Sequence, residues 1–92
     1  MEDLFLDRVR LGIMAAVATG DELSFSYLRK LLDVTDGNLG AHLRKLEDSG
    51  VIKSRKRFIG AKPRTSYCIT EKGRKALTHH VKELTVLLGI KR

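Results

Sequence analysis

The sequence predicts an α+β domain that is mostly helical, and three observations support this fold class. Apolar residues recur at helical spacing in four segments. After Gly50 the helical spacing ends, and two short segments follow that a link containing Gly and Pro joins. In the second segment, Tyr67 and Ile69 alternate with Ser66, Cys68 and Thr70, as in a half-buried strand. The chain has 92 residues, enough for one domain with a small core. We therefore predict a single domain over residues 1–92, with a two- or three-stranded sheet and a long C-terminal helix.

The first helix is predicted over residues 3–18, and its apolar residues form two stripes on different sides. One stripe comprises Leu6, Val9, Ile13, Ala16 and Val17, and the other comprises Leu4, Leu11, Ala15 and Ala18. A helix that is apolar over this much of its surface is buried on more than one side. The second stripe therefore indicates a partner chain, with packing inside the domain as the alternative.

The second helix is predicted over residues 25–32, directly after a short strand at residues 23–24. Ser24 is the expected N-cap, because its hydroxyl can accept a hydrogen bond from a free N–H of the first turn. The buried face of this helix would be formed by Leu28, Leu31 and Leu32.

The third helix is predicted over about residues 35–49, with Thr35 as N-cap and Gly50 as the stop, because glycine readily adopts the positive φ that ends a helix. The residues of its buried face would be Leu39, Leu43 and Leu46. A step of about 100° per residue then places four residues on the opposite side of the helix, namely Gly37, Ala41, Arg44 and Asp48. Asn38 and Lys45 lie next to that side. Two glycines, at positions 37 and 40, each cost about 1 kcal/mol of helix stability relative to alanine. Close approach to a ligand would explain that cost.

Two strands are predicted over residues 51–59 and 64–70, with residues 60–63 as the tip of the hairpin. Thr70 is the expected N-cap of a final helix over residues 71–88. The apolar positions of this helix are Ala76, Leu77, His80 or Val81, Leu84, Leu87 and Leu88.

Positive charge is concentrated in the second half of the chain. The formal net charge is +7, divided into −3 for residues 1–50 and +10 for residues 51–92. The densest segment has no acidic residue and contains Lys53, Arg55, Lys56, Arg57, Lys62 and Arg64. Such an asymmetry favours an anionic partner. The alternative is that the hairpin is simply solvated and that its lysines prevent aggregation through the edge strands.

Two short helices joined by a tight turn and followed by a basic hairpin are typical of a winged helix-turn-helix. This interpretation places the third helix in the major groove of double-stranded DNA and the hairpin, over about residues 53–66, on the backbone or in the minor groove. The candidate DNA contacts are Thr35, Gly37, Asn38, Ala41, His42, Arg44 and Lys45 on the third helix and Arg55, Arg57, Lys62 and Arg64 on the hairpin. Asn38 would pair with adenine, and Arg44 with guanine or a phosphate. The hairpin would then supply affinity and the third helix specificity.

Residues 28–52 resemble the helix-turn-helix of MarR/ArsR-type winged-helix transcriptional regulators. The basic hairpin and the transition Tyr-Cys-Ile-Thr-Glu-Lys-Gly over residues 67–73 are similar to the same family. The resemblance implies a homodimer that binds a pseudo-palindromic operator, usually as a repressor, and that uses its terminal helices as the dimer interface. The residues expected at that interface are Leu4, Leu11, Leu77, Val81, Leu84 and Leu88, with packing within the domain as the alternative.

Several other classes of protein are disfavoured. A single cysteine allows no internal disulfide, and no apolar run approaches the roughly 20 residues that span a membrane. The N-terminus begins with acidic residues, unlike a signal peptide, so we expect a cytoplasmic protein without a membrane partner. No Gly-rich phosphate loop, nucleophile elbow or carboxylate pair is present, so we expect no catalytic residue, no cofactor and no enzyme.

Three residues of the last helix could suggest metal binding. His79, His80 and Glu83 lie within about one turn, but further ligands are missing, so no metal site is expected. Cys68 is most simply a small buried residue, with a redox role as the alternative. The sequence does not identify a small-molecule effector. Two rival functions remain. One is a winged-helix module for protein interaction, and the other is an RNA-binding module, which the small number of aromatic residues disfavours.

Overall fold

The structure, a computed structural model, describes residues 3–89 and confirms the predicted α+β class. Its elements in chain order are a 3₁₀-helix at Asp3–Phe5, α1 (Arg8–Val17), β1 (Leu23–Ser24), α2 (Phe25–Leu32), α3 (Asp36–Asp48), β2 (Ile52–Ile59), β3 (Lys62–Ile69) and α4 (Glu71–Leu87). The three strands form one antiparallel sheet in the order β1-β3-β2. Helices α2 and α3 with their connecting turn, followed by the β2–β3 hairpin, give the predicted order of elements.

The first predicted helix is wrong in its N-terminal part, because the chain turns at Asp7 before α1 begins. Asp7 has extended backbone angles, and its Oδ1 accepts hydrogen bonds from the Val9 N–H at 2.8 Å and the Arg10 N–H at 3.0 Å. An aspartate that satisfies two free N–H groups in this way is an effective N-cap. The turn removes the predicted continuous stripe, since Leu6 lies 55% exposed whereas Phe5 is buried.

The three N-terminal helices enclose the core together with the sheet. The buried apolar residues are Leu4, Phe5, Ile13, Met14, Val17, Leu28, Leu39, Leu43, Leu46, Val51, Ile52 and Tyr67. The third helix contributes the predicted leucines at spacings of three and four, so one side of α3 is fully buried. This packing determines which side of α3 remains in solvent.

The turn between α2 and α3 depends on a left-handed residue. Asp33 has φ 52° and ψ 56°, a conformation that aspartate tolerates better than most residues. Its N–H donates to the Lys30 carbonyl, so the end of α2 is closed. Across the turn, Arg29 Nε lies 3.1 Å from Asp36 Oδ1 at the start of α3. The angle between the two helices is therefore supported by both the backbone and an exposed ion pair.

The β2–β3 hairpin, called the wing below, has a tighter turn than predicted. The strands pair from Ile52 opposite Ile69 to Ile59 opposite Lys62, so only Gly60 and residue 61 remain in the turn. Gly60 has φ 66°, and a glycine with positive φ at the first central position is the pattern of a type II′ turn. The predicted tip over residues 60–63 was therefore too wide, since residues 62 and 63 belong to β3.

The start of α4 is joined to the start of β2 by a close backbone contact. The Thr70 N–H donates to the Val51 carbonyl at 3.1 Å, and the Thr70 hydroxyl donates to the Gly50 carbonyl at 2.6 Å. The same hydroxyl oxygen accepts from the Gly73 N–H at 3.0 Å, which confirms Thr70 as N-cap. A Cβ atom at position 73 would overlap the Val51 carbonyl oxygen.

The two halves of α4 differ in their contacts. Ala76 and Leu77 pack against the core, and the buried His80 ring contacts Phe5 edge-to-face at 5.5 Å between centroids. Beyond His80, large apolar side chains lie exposed; they are Val81, Val86, Leu87 and Leu88. No helix in residues 3–89 has the length and apolarity needed to cross a membrane. The C-terminal half of α4 is thus an apolar surface that its own chain leaves uncovered.

We predict that Gly73→Ala destabilises the fold by about 3 kcal/mol, at the upper end of typical overpacking, because the new methyl group meets a carbonyl that is itself fixed by Thr70. Gly37→Ala is the matched control, since it adds the same methyl group to a helix with no neighbour within 4 Å. The free energy of unfolding of the Gly37→Ala control should increase by up to about 1 kcal/mol. Urea unfolding measures both, and equal stability of the two variants would contradict the prediction.

Candidate nucleic-acid interface

The exposed side of α3 has small residues at its centre and polar residues around them. The predicted residues on this side are all exposed; they are Gly37, Asn38, Ala41, Arg44, Lys45 and Asp48. Gly37 and Gly40 have no heavy atom within 4 Å of the position where a Cβ would stand. The backbone of α3 is therefore accessible to a large ligand between the side chains of Asn38 and Arg44.

Thr35 orients the first turn of α3. Its hydroxyl oxygen accepts a hydrogen bond from the Asn38 N–H at 3.1 Å, as predicted for an N-cap. The bond fixes the backbone of Asn38, so its side chain leaves the first turn of the helix in a defined direction. The helix N-terminus also provides partial positive charge on the side that carries Asn38.

His42 does not lie on the exposed side of α3. Its Nδ1 lies 3.1 Å from Arg10 Nη1, and its Nε2 lies 3.7 Å from Asp7 Oδ1. An arginine can only donate, so Nδ1 is the acceptor in this contact. Because His42 is directed towards α1, it holds α3 against α1, and we do not retain it as a candidate DNA contact.

Strand alternation separates the side chains of the wing onto two faces. One face continues the core from Ile52 and also carries Lys56 and Phe58. The opposite face, called the outer face below, carries Lys53, Arg55, Arg57 and Ile59 of β2 and Lys62, Arg64, Ser66 and Cys68 of β3. Five of the six cations of residues 53–64 therefore share the outer face, which the sequence analysis did not anticipate.

Glu22, just before β1, contacts two of these arginines. Its carboxylate oxygens lie 2.8 Å from Arg57 Nη2 and 3.7 Å from Arg55 Nη1, and one of them accepts a hydrogen bond from the Ser66 hydroxyl at 2.7 Å. The Ser66 hydrogen bond and then the charges of Arg57, Arg55 and Lys53 lower the pKa of Glu22 below its ordinary value. Arg55 and Arg57 are thus already paired with an anion.

The remaining cations of the wing are differently placed. Lys53, Lys56, Lys62 and Arg64 are exposed, and within residues 3–89 none of them forms an ion pair with a carboxylate. Arg64 stands directly opposite Arg57 in the ladder, where like charges repel. Lys62 and Arg64 lie next to the turn, whereas Lys53 lies at the base of the wing and Lys56 on its other face, so the unpaired positive charge is spread along the wing.

The candidate metal residues on α4 point in different directions. His79 Nε2 lies 2.9 Å from Glu83 Oε1 on the surface, whereas His80 is buried against Phe5. In the part of the chain that the structure describes, no three His, Cys, Asp or Glu side chains are grouped around a possible metal position. Cys68 lies half-buried on the outer face, opposite Lys53.

The predicted dimerisation residues divide into three groups. Leu4 is buried in the core of its own chain. Leu11 and Leu77 are partly buried against the same core, and Leu84 is half-buried. Val81 and Leu88 are 50% and 70% exposed. A second apolar surface is a groove of about 560 Å³ between α1 and α2. Its lining includes Leu11 and Ala15 of the predicted second stripe and also Leu6, Val9, Leu31 and Leu32.

Sequence reasoning missed three residues that shape this region. Asp7 caps α1, Arg10 joins α1 to α3, and Glu22 pairs with the wing. An aspartate directly before a helical run is an N-cap signal, so Asp7 could have been found. Glu22 could not, because its partners lie 35 and 44 residues away and depend on the strand register.

Comparison with known proteins supports a nucleic-acid interface. A family model described as a winged helix DNA-binding domain matches residues 9–88. The uncharacterised protein MJ0432 of Methanocaldococcus jannaschii is 37% identical over 84 residues, which cover 91% of each chain. A transcriptional regulator homologue from Pyrococcus horikoshii has a solved structure with a TM-score of 0.85 and 35% identity, matched over 94% of this chain and 85% of that one.

A further solved structure is that of PadR from Bacillus subtilis in complex with operator DNA. Its TM-score is 0.72 at 20% identity, and the match covers 82% of this chain and 48% of PadR, so the likeness concerns the fold alone. These matches confirm the predicted winged helix-turn-helix. The named structural neighbours include PadR regulators, and the MarR/ArsR subfamily is not confirmed.

We predict that the stabilising effect of Asp7 is lost in acid. Hydrogen bonds from the Arg10 N–H and the Val9 N–H, together with the charge of Arg10, lower the pKa of Asp7 from its ordinary value of 3.8. A carboxyl whose pKa is lower in the folded chain stabilises it fully above the ordinary pKa and loses this effect as the pH falls through the lowered one. Asp7→Ala should therefore cost about 1 kcal/mol at pH 7 and less at pH 3.

Urea unfolding at several pH values measures the difference. Asp7→Asn is the matched control, because it retains a capping oxygen but cannot titrate. At pH 7 its stability should lie between those of wild type and Asp7→Ala, because it keeps the capping hydrogen bonds and loses the charge. Its advantage over Asp7→Ala should not change between pH 7 and pH 3. A difference between wild type and Asp7→Ala that stays constant down to pH 3 would show that the carboxylate charge contributes nothing.

Proposed function

The chain belongs to the winged helix DNA-binding domain family, and we propose that it regulates transcription by binding specific double-stranded operator DNA as a homodimer. One observation carries this proposal. The exposed, glycine-containing side of α3 lies in the same domain as a wing whose tip carries Lys62 and Arg64, which pair with no carboxylate of residues 3–89. Groove reading and backbone binding are the two tasks that such a pair of elements combines.

The third helix is the proposed reader of the major groove. Gly37 and Ala41 keep side-chain bulk away from the base edges, so the backbone approaches them closely. Asn38, leaving the first turn, would form paired hydrogen bonds with adenine, and Arg44 would bind guanine or a phosphate. Thr35 and Lys45, at the two ends of the helix, would contact the flanking backbone.

The wing is the proposed source of affinity. Lys62 and Arg64 stand at the first and third positions of β3, next to the turn, where they would meet the phosphate backbone or enter the minor groove. Phosphate contacts release counterions whatever the base sequence, so the wing would strengthen binding to all duplexes. Arg55 and Arg57 belong to the same proposed surface but are occupied by Glu22.

A homodimer would bury the apolar surfaces that one chain leaves open. The C-terminal half of α4 exposes Val81 and Leu88, and the α1–α2 groove exposes Leu6 and Leu31 at 55% and 52%. Exposed apolar surfaces of this kind mark protein contacts. A two-fold dimer would present two α3 helices about 34 Å apart, one turn of DNA. We propose Val81, Leu84 and Leu88 at its interface, with Leu11 and Leu77 behind them.

The relatives support a regulatory role. The Pyrococcus horikoshii protein is a transcriptional regulator homologue, and the Bacillus subtilis PadR structure contains operator DNA. Repression and assignment to the MarR/ArsR-type subfamily are part of the proposal and follow from the sequence resemblance. A cytoplasmic location is also part of it, on the ground of the single cysteine and the short apolar runs. A binding rather than a catalytic function agrees with this assignment.

We predict that substitutions on α3 and on the wing affect DNA binding differently. Asn38→Ala and Arg44→Ala should reduce the preference for operator over random duplex by about 1–3 kcal/mol each, because they remove base contacts. Lys62→Ala and Arg64→Ala should weaken both duplexes equally and reduce the dependence of affinity on salt. Fluorescence anisotropy with an operator selected on the purified protein provides the measurement.

Lys75→Ala, an exposed lysine of α4, is the control for the loss of one positive charge. Wild-type affinity should fall by roughly 10³–10⁵ between 50 and 200 mM salt if the dimer makes about 6–10 phosphate contacts. An operator preference unchanged in both α3 variants would contradict the assignment to the groove. Absence of duplex binding would instead favour the rival function, a winged-helix module for protein interaction.

We predict that the wild type is a dimer and that Val81→Glu combined with Leu88→Glu yields a monomer. Each substitution would place a charge against an apolar partner surface, which is costly when the charge is buried. Sedimentation equilibrium at micromolar concentration should give twice the chain mass of 10.3 kDa for wild type and the single mass for the variant. Thr78→Glu, exposed on the same helix, controls for added charge. A monomeric wild type would refute the proposed interface.

A further inference from the structure

The contacts of Glu22 on the outer face are those that a phosphate group would make there. Two guanidinium groups and one hydroxyl converge on its carboxylate, at 2.8 Å for Arg57, 3.7 Å for Arg55 and 2.7 Å for Ser66. Carboxylates and phosphates are the two anions that arginine binds through paired N–H donors. The pocket therefore has the donor set of a phosphate site and already contains an anion from its own chain.

The occupant can be replaced. The side chains of Arg55 and Arg57 are 50% and 56% exposed, and that of Glu22 is 32% exposed. An ion pair in such contact with water contributes little stability, so its exchange for another anion is inexpensive. The exchange would also leave no buried group unsatisfied, because the Glu22 carboxylate can turn into solvent.

The surrounding charges favour an anion in this position. Arg64 lies directly opposite Arg57 and Lys53 precedes Arg55 by two residues, so four cations share the outer face around Glu22. Without Glu22 these like charges would repel one another without a counterion. The Ser66 hydrogen bond first, and then the charges of Arg57, Arg55 and Lys53, lower the pKa of Glu22, which shows that these groups together stabilise a negative charge.

We propose that Arg55, Arg57 and Ser66 form a phosphodiester-binding site that Glu22 occupies in the free protein, so that Glu22 competes with DNA phosphate and limits the affinity of the wing. This inference rests on the proposed function, since it specifies which cations of the wing the DNA must uncover. A phosphate enters the site only where the duplex is held close enough to displace the carboxylate. Glu22 therefore weakens loose, sequence-independent binding.

Glu22→Gln tests the competition. The amide cannot compete as an anion, although it can still accept the Ser66 hydrogen bond, so the variant should bind random duplex about five- to tenfold more tightly at 0.1 M salt. The slope of log affinity against log salt should become steeper by about 1.8 for the proposed dimer, because each of its two chains gains one phosphate contact worth about 0.9. Fluorescence anisotropy between 50 and 200 mM salt measures both quantities on the full chain.

Glu47→Gln is the matched control. Glu47 also accepts a hydrogen bond from a serine of the wing, from Ser54 at 2.8 Å, but no arginine pairs with it among residues 3–89. Glu47→Gln therefore removes the same charge as Glu22→Gln without opening a phosphate site. Its slope of log affinity against log salt should remain that of the wild type. Thermal unfolding of each variant verifies that it is folded.

The arginines provide the second test. In an Arg55→Gln, Arg57→Gln background, Glu22→Gln should give no gain, because the site that it opens no longer exists. Equal or weaker duplex binding by Glu22→Gln in the otherwise wild-type chain would overturn the proposal and identify Glu22 as a residue that merely positions Arg57. A wild type that binds no duplex would refute the proposed function and this inference together, whereas duplex binding without the gain refutes this inference alone.

Discussion

The junction between Thr70 and the start of β2 determines how the rest of the domain is arranged. Thr70 donates to the carbonyls of both Gly50 and Val51 and caps α4 with the same hydroxyl that contacts Gly50. The end of α3, the first residue pairs of the wing and the first turn of α4 therefore meet within a few ångströms. Gly73 makes this approach possible because it has no Cβ. The orientation of both candidate DNA-binding elements thus depends on one backbone contact.

The third helix shows how packing can replace intrinsic helix stability. Its two glycines disfavour an isolated helix by about 1 kcal/mol each. Three leucines at spacings of three and four are fully buried and hold the helix against α1 and the sheet, and the Arg10–His42 contact adds a polar connection. Tertiary contacts are the usual source of helical stability in proteins. The opposite side of the helix can therefore consist of small residues, and close approach to a DNA groove requires such a side.

Local signals made most of the fold predictable, whereas contacts between distant residues did not follow from the sequence. The hydroxyl caps Ser24, Thr35 and Thr70 each begin a helix where predicted, because capping involves neighbouring residues only. The break at Asp7 was missed since apolar residues on both sides of it mimic one continuous helix. The pairing of Glu22 with the wing requires the strand register, which composition and spacing do not determine. The candidate site was therefore predictable in its helix and only partly in its hairpin.

The register also changes the meaning of the net charge. Counted along the chain, the first half is acidic and the second basic, as if the two could be assigned to separate surfaces. In the folded domain an acid of the first half lies on the basic face of the second and neutralises part of it. The positive charge of the wing that remains available is smaller than the count; it lies at Lys62 and Arg64 next to the turn and at Lys53 and Lys56 further along the strand. Because electrostatic attraction is not specific for sequence, a domain that must distinguish an operator benefits when its strongest cations are not all exposed at once.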